Sequence, residues 1–153
     1  MAMKIVILED NADRQAIMRK CLADRFYTFE TCIFDNAAET IAYLSKHLAE
    51  TLVIALDHDL EMKVGKHGRL VDPGTGREVA DYLATQEPTC PVILQSTNTD
   101  AVTGMLEVLK DAGWRTKRVV PFEDMSWIET DWFFAMRRAI VGPIKRKKLI
   151  AQA

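Results

Sequence analysis

Cysteine is scarce in this 153-residue chain: Cys21, Cys32 and Cys90 are the only thiols. An odd number without CxxC spacing gives neither a disulfide framework nor a zinc cage, and points to buried thiols in a reducing cytoplasm. Long hydrophobic runs are also missing. None approaches the roughly 20 residues that span a bilayer, and the apolar run in MAMKIVILEDN meets two acids after four residues, unlike a signal peptide. The expectation is therefore a cytoplasmic domain with no membrane partner. Glycine and proline number only 7 and 5, and no linker, repeat or low-complexity segment interrupts the chain. Charge of one sign is lacking too. Twenty basic residues face 22 acidic ones, a formal −2 that does not advertise nucleic acid or membrane. The distribution is less even, because Lys145, Arg146, Lys147 and Lys148 follow Pro143 without an acid. Residues 1–142 thus carry −6 and a basic tail, 143–153, carries +4.

What is present fits one globular domain large enough to bury a substantial core. KIVILED reads as a buried strand, with apolar residues continuous until the acids. Residues 11–25 follow as a helix that Asn11 or Asp13 can cap. A second strand over Thr28–Phe34 leads into a helix opened by Asp35 and Asn36. LVIAL (52–56) is a third strand, ending at Asp57-His58-Asp59. The irregular stretch 60–75 precedes a helix over Arg77–Gln86, and PVILQ (91–95) is a fourth strand. A helix over 99–112 is stopped by Gly113, and a short strand covers Arg118–Val120. The last helix spans Asp124–Val141, offers Trp127, Ile128, Phe134 and Ile140 for packing, and ends at Gly142-Pro143.

Strands alternating with helices imply right-handed crossovers and a doubly wound five-stranded parallel sheet of the α/β class. Ligands of such sheets collect at the carboxyl ends of the strands. Those ends carry Glu9 and Asp10, then Asp57, His58 and Asp59, then Ser96, Thr97 and Asn98. Clustered carboxylates raise one another's pKa unless a cation neutralises them. A hard ion such as Mg²⁺ (or Mn²⁺) suits this oxygen set. Glu9, Asp10, Asp57 and Asp59 are the candidate metal ligands. His58 offers a general acid/base or a helix-packing imidazole. Thr75-Gly76-Arg77 opens a helix whose free N–H groups and Arg77 favour an anion. His67 and the neighbouring Lys63, Lys66 and Arg69 make the 60–75 loop basic. His47 lies on a helix and reads as structural. The tryptophans read as packing residues before stacking platforms.

KIVILEDN, LVIALD, PVILQST and VVPF resemble the receiver domains of bacterial response regulators, with their flavodoxin-like (βα)5 fold. The resemblance implies that Glu9, Asp10 and Asp57 bind Mg²⁺, that Asp57 accepts a phosphoryl group, and that Ser96 contacts it. Gly76 matches the glycine that opens the third helix. Three features depart from that pattern. Val120 stands where a Lys precedes Pro121, His58-Asp59-Leu60 follows Asp57, and the loop before the third helix is longer by roughly ten residues. LDHDL, TGREVADYL, QSTN and GM…L…AGW are similar to a narrower group, the cyclic-phosphate processing receiver domains. This implies action on cyclic phosphates of nucleotides or RNA ends; for that chemistry the residues themselves offer Asp57 and His58 as candidate catalytic groups and Ser96, Thr97 and Arg77 as candidate phosphate contacts. The competing expectations are a phosphoacceptor receiver of two-component signalling and a non-catalytic nucleotide- or protein-binding module. The fourth and fifth helices would offer a protein-partner or homodimer face.

Overall fold

KIVIL lacks a polar break because both of its faces are covered. In β1 (Lys4–Leu8), Ile5 and Ile7 enter one core layer while Val6 and Leu8 enter the other. The structure, a computed structural model, describes residues 2–122 and 124–152, with side chains as far as Gly142. The same alternation sorts β3 (Thr51–Leu56) and β6 (Val92–Gln95): Ile54, Leu56, Val92 and Leu94 face one way, Val53, Ala55 and Ile93 the other.

The strand β2 (Glu30–Phe34) and the strand β7 (Thr116–Val119) complete a sheet of order β2-β1-β3-β6-β7, parallel throughout. Helices α2 (Ala37–His47), α3 (Gly76–Ala84) and α4 (Thr99–Asp111) cover one face. Helix α1 (Ala12–Arg25) packs on the other, together with α5 (Phe133–Gln152) and the turn before it. The chain steps outward from β1 to β2, then crosses back to β3 and continues the opposite way. That reversal opens a crevice beyond the carboxyl ends of β1 and β3. The doubly wound five-stranded sheet expected from the pattern is the one observed.

Details differ where local signals are weak. The 60–75 stretch contains an antiparallel hairpin, β4 (Lys63–Val64) with β5 (Leu70–Val71). Strands of two residues have no periodicity to read. A 3₁₀ turn closes the hairpin, with His67 at φ 68° and Gly68 at φ 73°. Lys63 forms an ion pair with Asp35, tying the hairpin to the approach to α2. Gly113 does follow the end of α4, at φ 90°.

The last helix departs most. A π turn at Ile128–Trp132 precedes α5, widening the helix so that Trp127, Ile128 and Trp132 are all buried. Phe134, offered for packing by the sequence pattern, is 58% exposed. The helix also runs through Gly142 and Pro143, the expected stop, to Gln152. Glycine costs about 1 kcal/mol and proline about 3 in a helix interior, a bias against helix and not a bar. No helix among the described residues is long and apolar enough to cross a membrane.

Candidate metal and phosphate site

The backbone of the sheet extends one residue beyond β1 and β3 and holds two acids in place. The Glu9 N–H donates to the Phe34 carbonyl at 2.9 Å, and the Asp57 N–H donates to the Leu8 carbonyl at 2.9 Å. Both side chains are buried, Glu9 completely and Asp57 to 6% exposure. Asp10, half-buried, accepts from the Glu61 N–H of the loop after β3. One carboxylate oxygen from each of Glu9, Asp10 and Asp57 lies within 4.8 Å of the others.

Burial, then the charge of Glu9, pushes the Asp57 carboxyl up to about 8, against the opposing hydrogen bond from the His58 N–H at 2.8 Å. Burial raises Glu9 as well, while the Asn11 N–H (3.2 Å) and the Arg14 guanidinium (3.7 Å) oppose the rise. Gln95 reaches Glu9 Oε1 at 3.5 Å and itself accepts from the Trp132 indole N–H. Three convergent carboxylates, two of them buried, are the donor set a hard divalent cation prefers. The chemistry of the site fits such an ion, whose charge would offset both the burial and the repulsion that raise these groups.

A cleft of about 330 Å³ opens from the cluster, lined by Asp10, Arg14, Asp57, Asp59, Ser96, Thr97 and Pro121 among others. Ser96 is buried at its base and Thr97 exposed. The Ser96 hydroxyl accepts from the Asn98 N–H at 3.1 Å, and the Asn98 side chain caps α4 through the Ala101 N–H at 3.1 Å.

Residues 4–111 match the family described as the cyclic-phosphate processing receiver domain. The chain belongs to that family. Solved structures agree on the fold. The phosphorylated cyanobacterial phytochrome response regulator RcpA superposes with a TM-score of 0.68 at 18% identity, covering 92% of this chain and 95% of that one. The response regulator domain of Thermotoga maritima CheB gives 0.63 at 15% identity, covering 92% and 97%. The Mn²⁺-bound form of the response regulator Rcp1 gives 0.61 at 18% identity, covering 86% and 94%. No curated protein matches the sequence.

In this receiver domain not every candidate from the sequence reaches the cleft. Arg77 does not line it; the guanidinium bonds Asp81 one turn along α3 at 2.8 Å and lies over Gly104 of α4. A local carboxylate captures it. The His58 ring is likewise outside the lining and pairs with Asp59 at 2.9 Å. Asp59 lines the cleft, yet it stands apart from the three-acid cluster, its oxygens engaged by His58 and by Asn98 at 3.2 Å. His67 sits on the exposed hairpin turn. Val120 is 45% exposed and does not line the cleft.

Gly76 acts through the backbone instead. A Cβ there would fall 1.9 Å from the Asp57 carbonyl oxygen, and the Gly76 N–H donates to the His58 carbonyl at 3.0 Å. Sequence reasoning missed Arg14, Gln95 and Trp132. Arg14 reads as an ordinary solvated helix cation, and only the fold sets it beside Glu9 and 5.3 Å over the Trp127 ring.

Proposed function

We propose that this receiver domain processes cyclic phosphate groups of nucleotides or RNA ends with a divalent cation, Mg²⁺ or Mn²⁺, held by Glu9, Asp10 and Asp57. The observation that carries the reading is the three-acid cluster opening into a cleft with no lysine among its lining residues. A stable phosphoryl group on Asp57 would there lack the compensating lysine charge, whereas hydrolysis has no need to stabilise such a product. When bound, the ion supplies Lewis-acid polarisation of a phosphate oxygen and an acidified water.

The chain's own residues hold and orient. Ser96 and Thr97 offer hydroxyls to the non-bridging oxygens, and the Arg14 guanidinium beside Glu9 opposes the rise that burial imposes on that carboxyl. Gln95, fixed by Trp132, orients the Glu9 carboxylate. Water adds to phosphorus, one ribose P–O bond breaks, and the released ribose oxygen takes a proton. With His58 and His67 outside the cleft lining, that proton comes from solvent. The product is a phosphomonoester.

The second reading is a phosphoacceptor receiver, which the buried Asp57 beside Ser96 also suits. The protein is incubated with Mg²⁺ and, in parallel, a 2′,3′-cyclic nucleotide or acetyl phosphate. Turnover of the cyclic nucleotide abolished by Asp57→Asn is the expected result. A stable acyl phosphate on Asp57 without turnover replaces it with the second reading. Metal binding with neither product leaves a binding module, and failure to bind any divalent cation overturns all three.

A further inference from the structure

A second cleft of this receiver domain is larger than the acidic one. A groove of about 720 Å³ runs along β7 against α5. Because β7 ends the sheet order, one of its backbone edges has no strand partner among the described residues. Among the described residues, Arg115, Lys117, Arg118 and Arg138 line the groove against one acid, Asp131, in a chain whose formal charge is −2. Two aromatic rings stand open there, Phe122 at 54% exposure and Phe134 at 58%. The Arg138 guanidinium lies 5.8 Å from the centre of the Phe134 ring. All three tryptophans are buried, and these two rings are the aromatic residues among the groove's described lining.

Neighbouring residues lead from the groove to the acidic cleft. Pro121 lines that cleft and, with Phe122, Asp124 and Ser126, a hollow beside it, while Phe122 also lines the groove. Arg118 marks the junction. It donates to the Ser96 carbonyl at 3.4 Å and to the Thr99 hydroxyl at 3.2 Å. Its buried Nε–H has no partner among the described residues. Cations spaced along a strand attract a phosphate backbone, and exposed rings beside guanidinium groups stack with bases irrespective of sequence.

We propose that single-stranded RNA lies along this groove, so that its cyclic-phosphate end enters the Glu9–Asp10–Asp57 cleft. The assignment of the end group rests on the function proposed above; the groove and its charge do not. It selects an oligomer over a free cyclic mononucleotide as substrate.

The test compares a labelled RNA oligomer ending in a 2′,3′-cyclic phosphate with a 2′,3′-cyclic mononucleotide, using full-length protein and Mg²⁺. Binding is followed by anisotropy across a salt series. The oligomer is expected to bind at least about tenfold tighter than the mononucleotide. Lys117→Glu with Arg138→Glu, both exposed, should remove that advantage and lower the salt slope by about 1.4. Phe122→Ala should weaken the oligomer alone. Unchanged metal affinity reports an intact fold. Equal binding of oligomer and mononucleotide, or RNA binding indifferent to the double substitution, overturns the groove even if the mononucleotide is hydrolysed. A dimer in sedimentation that the double substitution dissociates overturns it too, by making the groove an interface between copies. Groove-dependent RNA binding with the cyclic end recovered intact keeps this inference and removes the catalytic reading.

Discussion

Asp57 and Gly76 are coupled through one backbone group. The strand delivers the Asp57 carboxylate to the crevice, while its carbonyl faces the start of α3 so closely that only a residue without Cβ fits. Gly76→Ala must push α3 away from the end of β3, and overpacking of this kind costs about 1–3 kcal/mol. A drop of that size in the denaturation midpoint, with weakened metal binding, is expected; unchanged values would show that α3 relaxes freely. Glu9 depends on a chain of donors. Trp132→Phe removes the indole N–H and leaves Gln95 Oε1 buried without its partner, at about 1–3 kcal/mol. Chemical denaturation reads that loss, and titration calorimetry reads the accompanying fall in metal affinity.

At the scale of elements, the hairpin after β3 and the helices obey different physics. Its exposed apolar residues, Val64, Leu70 and Val71, are 69%, 64% and 53% accessible, so burial stabilises it little. The Lys63–Asp35 pair is half-exposed, a class of interaction worth about 0–1 kcal/mol. Lys63→Ala should therefore shift the global unfolding midpoint negligibly while accelerating amide exchange at Gly65, whose N–H donates to the Arg69 carbonyl. A large global loss would mean that the hairpin unfolds with the core. The π turn before α5 works in the opposite sense, since it brings Trp132 to both the core and Gln95.

The molecule as a whole is linked to pH through its acidic cluster. Asp57 rises from an ordinary 3.8 to about 8 in the folded chain. Between those values the folded state holds a proton that the unfolded state has released. Metal-free stability is therefore highest at the acidic end of that window and falls as pH rises toward 8. A divalent cation binds the ionised cluster and opposes the fall. Melting curves from pH 5 to 9, with and without Mg²⁺, should show a metal-induced rise in Tm that grows with pH. A rise independent of pH would place the ion away from Asp57.

Apolar runs were sufficient in the sequence for the three central strands, because burial on both faces leaves an unbroken pattern, and the acids that end two of those runs marked the cluster. Family motifs added a phosphate contact for Ser96 and a matching glycine for Gly76. Capture of Arg77 by Asp81, the pairing of His58 with Asp59, and the support of Glu9 by Arg14, Gln95 and Trp132 were decided only in three dimensions. These are choices among partners distant in sequence or equally near along a helix, and local pattern carries no information about them. The same holds for Phe134, whose apolar character offered it for packing and which stands 58% exposed.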